Sequence, residues 1–97
     1  MIRNVVLAKL KDGYDAAELA QIQQGLRELN CPGTVAYSAG TDAGLREGNW
    51  DFVIVADFAD IDSYRAYDAD AEHNALRARL APMVDQIARA QMELPAG

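Results

Sequence analysis

The chain contains 97 residues, of which 15 are acidic and 9 are basic, and its net charge is −6. A chain of this length builds one hydrophobic core, so we treat residues 1–97 as a single domain. The acidic balance, with no Lys/Arg cluster in the sequence, argues against nucleic acid and anionic membranes as partners. Because the sequence has neither an apolar run of about twenty residues nor a signal-peptide pattern, we expect a soluble cytoplasmic protein.

The chain opens with a predicted strand, Ile2 to Leu10, whose centre is continuously apolar. A predicted helix follows, and Asp15 and Glu18 at its start have the spacing of a capping box. Gly25 inside this helix indicates either a close approach by another element or a tolerated exposed position. The apolar stripe that predicts the helix consists of Leu19, Ile22, Leu26 and Leu29.

A weaker strand and the most apolar strand of the chain come next. The weaker strand covers residues 34–39, and strand periodicity places on one side of it Val35, Tyr37 and Ala39. The glycine-containing loop 40–49 joins it to an antiparallel neighbour and has no phosphate-binding spacing, so we expect no nucleotide cofactor. In the strong strand, Phe52 to Ala56, even positions from Trp50 to Phe58 form the predicted core face.

The second half of the chain is predicted to be mainly helical. Asp60 or Asp62 caps a short helix, which residues 68–70 interrupt and residues 74–80 resume. The tail, residues 83–94, fits both periodicities, with a slight preference for a helix from its local pattern. The first of these helices carries Ile61, Tyr64 and Tyr67.

No cofactor or metal is expected. Cys31 is the only cysteine and has no neighbouring histidine, so it forms neither a disulfide nor a metal-binding spacing. We expect it to pack as a small thiol. The acidic residues after the strong strand lack the glycine and terminal glutamate of an EF-hand loop and are expected to cap helices; they are Asp57, Asp60, Asp62, Asp68, Asp70 and Glu72.

If the tail is a strand, the element order is β-α-β-β-α-β, the order of a ferredoxin-like α+β sandwich. One layer of helices covers only one face of such a sheet. The other face would expose an apolar patch, and patches of this kind normally mark an interface. We therefore expect a homodimer formed through the face that carries Val5, Leu7, Val53 and Val55.

Three segments carry a resemblance to a known family. They are IRNVVLAKLK at residues 2–11, DFVIVADF at residues 51–58 and YRAYDADAEH at residues 64–73. Together they resemble the stress-responsive dimeric α/β-barrel family, known as Dabb. The resemblance implies a ferredoxin-like fold, a homodimer whose two sheets form a barrel, and a last strand near Ile87 to Glu93. We expect this strand in place of the locally favoured helix, because pairing at the sheet centre can override propensity.

The same resemblance implies candidate catalytic residues. A plant polyketide cyclase of this family uses a tyrosine and a histidine six residues apart, and Tyr67 and His73 match that pair. An imidazole would take a proton from carbon beside a carbonyl group, and a phenol would hold the substrate oxygen. The sequence departs from the family at Asn4, where histidine is frequent, and at Ala71, where proline is frequent. We expect an apolar-ligand pocket lined by Asn4, Val6, Phe52 and Ile54.

Three functions remain open at this point: cofactor-free cyclase or lyase chemistry on a polyketide-like carbonyl compound, non-catalytic binding of a small apolar ligand, and a structural stress-response dimer. A cavity of about 300 Å³ reaching His73 would favour the first two. A perturbed His73 titration would favour the enzyme. The structural interpretation of His73 is a ring held by a backbone carbonyl or by Asp70.

Overall fold

The computed structural model describes residues 1–95, in which four antiparallel strands form one sheet in the order β2-β3-β1-β4. No helix in that range is long and apolar enough to cross a membrane. The ferredoxin-like β-α-β-β-α-β prediction is confirmed, with the second helical element split into two helices. The elements are β1 Ile2–Leu10, α1 Ala16–Arg27, β2 Thr34–Thr41, β3 Phe52–Phe58, α2 Ile61–Ala69, α3 Ala71–Leu80, a 3₁₀ turn Ala81–Met83 and β4 Val84–Glu93.

The hydrophobic core lies between the helices and one face of the sheet, which we call the inner face. Strands β1 and β3 contribute even-numbered residues to it, as strand periodicity predicts, and β2 contributes the odd-numbered Ala39. The core includes Ala8, Phe52, Ile54, Ala56 and Phe58 from the strands and Leu19, Ile22, Leu26, Leu76 and Leu80 from the helices.

Helix α1 begins at the predicted cap and ends before the predicted stripe does. The Asp15 carboxylate accepts a hydrogen bond from the Glu18 backbone N–H at 3.1 Å. The Glu18 side chain pairs with Arg79 of α3. Leu29 was predicted to belong to the helix, and this was wrong: the chain leaves the helix at Glu28, and Leu29 packs against the core from the following turn.

Gly25 marks a close approach between α1 and α3. A Cβ atom at this position would lie 2.8 Å from Cδ2 of Leu76, closer than side chains normally pack. The glycine therefore lets the two helices sit close together over the inner face, and the alternative of a merely tolerated exposed glycine is wrong.

A β-bulge in β2 changes the predicted pattern of that strand. Thr34 pairs with Phe58 while Ala36 pairs with Asp57, so Val35 is the extra residue and is 58% exposed. The prediction that Val35 shares a face with Tyr37 and Ala39 was wrong, because a bulge shifts the alternation by one residue.

The tail is strand β4, as we expected from the family resemblance and against the slight local preference for a helix. It starts at Val84, three residues before the strand start that the family resemblance implied. It pairs with β1 over nearly its whole length, from Glu93 opposite Ile2 to Val84 opposite Leu10. These backbone hydrogen bonds along β1 outweigh the weak side-chain pattern of the tail.

The outer face of the sheet, away from the helices, carries the predicted apolar patch. Val5 pairs with Val55 and Leu7 pairs with Val53 across β1 and β3, and none of the four is fully buried. Leu7 is 41% exposed. The patch continues onto β4 through Ala88, Ala90 and Met92.

Replacement of Gly33 tests how β2 is held against α2. Gly33 has a φ of 86°, and an added Cβ would overlap the Ser63 side chain. We expect Gly33→Ala to lower the free energy of unfolding by about 2–4 kcal/mol, from backbone strain plus overlap. Gly48 has a φ of 83° and open space around it, so Gly48→Ala should cost only the strain, about 1–2 kcal/mol. Equal losses in urea unfolding would contradict the packing account.

Candidate functional site

The break between α2 and α3 occurs at a single residue, Asp70, within the interruption predicted at residues 68–70. Its backbone is extended, with φ −62° and ψ 135°, so the helix cannot continue through it. Its carboxylate accepts a hydrogen bond from the His73 backbone N–H at 2.9 Å and so caps α3. The chain therefore restarts a helix with His73 in its first turn.

This restart brings His73 onto Tyr67. The two rings stack with their centroids 4.0 Å apart and their planes 26° apart, and the side chains are 5% and 3% exposed. His73 Nδ1 lies 3.0 Å from the backbone carbonyl oxygen of Tyr67. A carbonyl oxygen only accepts hydrogen bonds, so Nδ1 carries the proton in the neutral ring and Nε2 carries the lone pair.

The structural interpretation of His73 accounts for only one of its ring nitrogens. Nδ1 is held by a backbone carbonyl, as that interpretation expects, whereas Nε2 makes no hydrogen bond to any residue in the range 1–95. No side-chain nitrogen or oxygen in that range is fully buried without a partner. Nε2 therefore keeps accessible surface, and His73 lines a cavity.

The cavity lies between the helices and the inner face and has a volume of about 50 Å³. The structure brings five of the six predicted site residues to its wall: Asn4, Val6, Ile54, Tyr67 and His73. Phe52 is the exception. It is 1% exposed and pairs with Ala8, one inward position before Ile54 on β3. Strand periodicity predicted the face of Phe52 correctly, but it did not predict how far along the strand the cavity extends.

The enclosed volume is well below the roughly 300 Å³ expected of a complete ligand pocket. It has room for a group as small as a ketone. The cavity adjoins a groove of about 290 Å³ between α3 and β4, with which it shares Arg77, Leu80, Ile87 and Arg89. A larger ligand would therefore place one end at His73 and the remainder in this groove.

Tyr37, which was predicted only to share one side of β2 with Val35 and Ala39, is a partner of the site. Its hydroxyl lies 2.8 Å from the hydroxyl of Tyr67. Burial raises the pKa of Tyr67, and the bond to Tyr37 raises it further. Burial also raises the pKa of Tyr37. Both phenols are therefore neutral at physiological pH, and because one hydroxyl donates to the other, the pair has one O–H left to donate to a ligand.

Asn4 is oriented by a residue that the sequence did not single out. Gln91 of β4 lies opposite Asn4 in the strand register, and its Nε2 donates to Asn4 Oδ1 at 2.8 Å. Asn4 is 4% exposed. Its Nδ2 remains available as a donor at the cavity wall. The contact follows from the register between β1 and β4, and the local sequence pattern of the tail did not predict that register.

The surroundings of His73 favour the neutral ring. Burial lowers its pKa most, the nearby Arg77 guanidinium lowers it further, and the Tyr67 carbonyl and Asp68 act in the opposite direction. Arg77 is itself paired with Asp68 at 3.0 Å. A neutral imidazole with a lone pair on Nε2 has the protonation state of a general base. Within residues 1–95 no cluster of three or more His, Cys, Asp or Glu side chains is arranged to hold a metal ion.

An antiparallel sheet in the order β2-β3-β1-β4, with helices on one face and a cavity between the layers, defines a ferredoxin-like α+β protein. A sequence model of the Stress responsive A/B Barrel Domain (Dabb) matches residues 2–93. The chain belongs to this Dabb family. A search of curated proteins found no match.

Solved structures with the same fold include proteins of different activity. A dimeric ferredoxin-like protein of unknown function from Thermobifida fusca is 32% identical, with a TM-score of 0.86 over 96% of this chain and 90% of that one. A Dabb protein from Mesorhizobium loti is 22% identical, with a TM-score of 0.72 over 99% and 97%. Hydroxynitrile lyase from Passiflora edulis is 15% identical, with a TM-score of 0.81 over 99% and 94%. The last two show similarity of fold alone.

The lowered pKa of His73 predicts a pH-dependent stability. The unfolded chain protonates its histidine near the ordinary value of 6.5, whereas the folded chain does so only at lower pH. The unfolded state therefore binds more protons below about pH 6.5, and the free energy of unfolding should fall as the pH is lowered through this range. Above it, His73 contributes no pH dependence.

His73→Asn should flatten this dependence between about pH 5 and pH 7, because the amide still donates to the Tyr67 carbonyl but does not titrate. Carboxylates with lowered pKa, such as Asp57 and Glu18, act only at lower pH. Urea unfolding at a series of pH values measures the effect. An unchanged slope in the variant would contradict the assignment.

Proposed function

We propose that this protein is a homodimer that binds a carbonyl compound at the His73 cavity and catalyses proton transfer beside the carbonyl group, without a cofactor, as in a cyclase or lyase. The observation that supports this most directly is the His73 ring, which lines the cavity and whose Nδ1 is held by the Tyr67 carbonyl at 3.0 Å while Nε2 has no partner in the described chain.

In this mechanism His73 Nε2 removes a proton from the carbon beside the ketone. The electron pair of the broken C–H bond forms the enolate, whose negative charge rests on the oxygen. Donors aimed at that oxygen stabilise it, and Asn4 Nδ2 and the Tyr67 hydroxyl are the candidates in the cavity wall. The enolate carbon can then attack a second carbonyl, as in cyclisation, and protonated His73 gives its proton to the new alkoxide. In a lyase the enolate instead forms a C=C bond as the bond from the adjacent carbon to the leaving group breaks, and protonated His73 gives its proton to the leaving group.

The proposed dimer uses the outer face of the sheet. Val5, Leu7, Val53 and Val55 form a continuous patch there, and helices cover only the opposite face. Burying this patch twice, once from each subunit, would remove apolar side chains from water in a symmetric interface. The Thermobifida fusca protein, which is dimeric, has the same fold at 32% identity.

Val53→Asp tests the interface, because a two-fold contact would bury the new charge twice. We expect the wild type to sediment as a dimer of about 21 kDa, twice the 10.6 kDa of one chain, and the variant to dissociate or unfold. Ile61→Asp is the matched control, since Ile61 is 48% exposed at the start of α2 on the helical side. A folded wild-type monomer at micromolar concentration would contradict the dimer.

Removal of the base tests the chemistry. Wild-type protein should accelerate the keto–enol interconversion of benzoylacetone, followed by the absorbance of the enol. His73→Asn should reduce this acceleration at least about a hundredfold, the usual contribution of a general base. Glu72→Gln, at the preceding exposed position of α3, is the control and should retain it.

The alternative function is a non-catalytic ligand-binding or structural stress-response dimer. The small enclosed volume, about 50 Å³, favours this alternative over a pocket that holds a whole substrate. If benzoylacetone perturbs the His73 resonances without acceleration, the protein binds but does not catalyse. If it perturbs nothing near His73, the structural dimer is the better description.

A further inference from the structure

The groove between α3 and β4, which continues the cavity outward, contains no acidic side chain in its wall. Its wall consists of Arg77, Leu80, Ala81, Val84, Ile87 and Arg89. The whole chain has a net charge of −6, so a groove whose only charged groups are two guanidinium groups differs from the surface around it. The negative net charge of the protein attracts cations at long range. Any preference of this groove for an anion must therefore come from its two arginines.

The two arginines are in different states. Arg77 donates to Asp68 at 3.0 Å and to the Asn74 side chain at 3.0 Å, so its charge is already compensated. Arg89 makes no hydrogen bond or ion pair with its side chain to residues 1–95. It lies on the inner face of β4, opposite Val6 of the cavity wall.

We propose that Arg89 recognises a carboxylate, so that the substrate of this site is a ketone that carries a carboxylic acid group on an apolar body. This inference rests on the proposed function. The ketone lies at His73, the apolar body contacts Leu80 and Ile87, and the carboxylate reaches Arg89. An arginine guanidinium binds a carboxylate through two parallel hydrogen bonds, which gives both affinity and orientation.

The balance of charge favours a monoanion over a phosphate dianion. The cavity and groove together carry two positive groups, Arg77 and Arg89, and one negative group, Asp68. The excess is one positive charge. A carboxylate neutralises it, whereas a dianion would leave a negative excess beside the Asp68 carboxylate, and like charges at close range repel.

Benzoylpropionate and its methyl ester form a matched pair of probes. Both are aryl ketones of the same length, and only the acid is charged. We expect the wild-type protein to bind the acid at least about tenfold more tightly than the ester, from one charge-assisted contact. Arg89→Gln should weaken binding of the acid by about tenfold and leave binding of the ester unchanged. NMR titration of the His73 side chain and calorimetry measure both.

Arg46→Gln is the control for net charge, because Arg46 is exposed in the loop between β2 and β3 and lines neither the cavity nor the groove. It should leave both affinities unchanged, and the preference of the wild type for the acid should weaken as salt is added. If both probes bind at His73 with equal affinity, or if Arg46→Gln has the same effect as Arg89→Gln, the carboxylate inference is wrong and the proposed function stands. If neither probe reaches His73 but benzoylacetone does, only the carboxylate inference is wrong; if none of the three reaches His73, both are wrong.

Discussion

The helix break at Asp70 is the constraint on which the candidate site depends. In a continuous helix, residues six apart are rotated by about 240° around the axis, so Tyr67 and His73 would face different surroundings. Asp70 ends one helix with an extended backbone and starts the next with a carboxylate bound to the His73 N–H at 2.9 Å. The break interrupts the helical backbone hydrogen bonds at Asp70. The cap on the His73 N–H and the stacking of the two rings offset this loss.

The chemistry of His73 follows from that geometry. The restart places Nδ1 on the carbonyl of Tyr67, which fixes the tautomer and directs the unprotonated nitrogen away from the backbone. Packing of the helices over the inner face buries the ring, and burial lowers its pKa. The tautomer, the ring orientation and the charge state of His73 thus have separate physical causes. Each of these three properties is the one that a general base needs. Asn4 is held by Gln91 at 2.8 Å, and in the proposed mechanism its amide nitrogen would supply a donor to the substrate oxygen.

The sequence predicted those features that depend on local patterns. The alternating residues of β3 defined both the core face and the outer patch, and the acidic residues before α1 and α2 capped those helices. Features that depend on distant pairing leave no local pattern. The bulge at Val35 was missed for this reason, and the strand in the tail was expected only from the family resemblance. For the same reason Gln91 and Arg89, both on the tail strand, did not appear as site residues, and Phe52 was placed too near the cavity.

The central claim is that His73 carries its proton on Nδ1 and presents a free Nε2 to the cavity. It is the only histidine in the chain, so ¹⁵N NMR of the imidazole assigns the signals without ambiguity. At neutral pH the account predicts a protonated Nδ1 and an unprotonated Nε2, with a titration midpoint below the ordinary 6.5. A protonated Nε2, or a midpoint above that value, would contradict it.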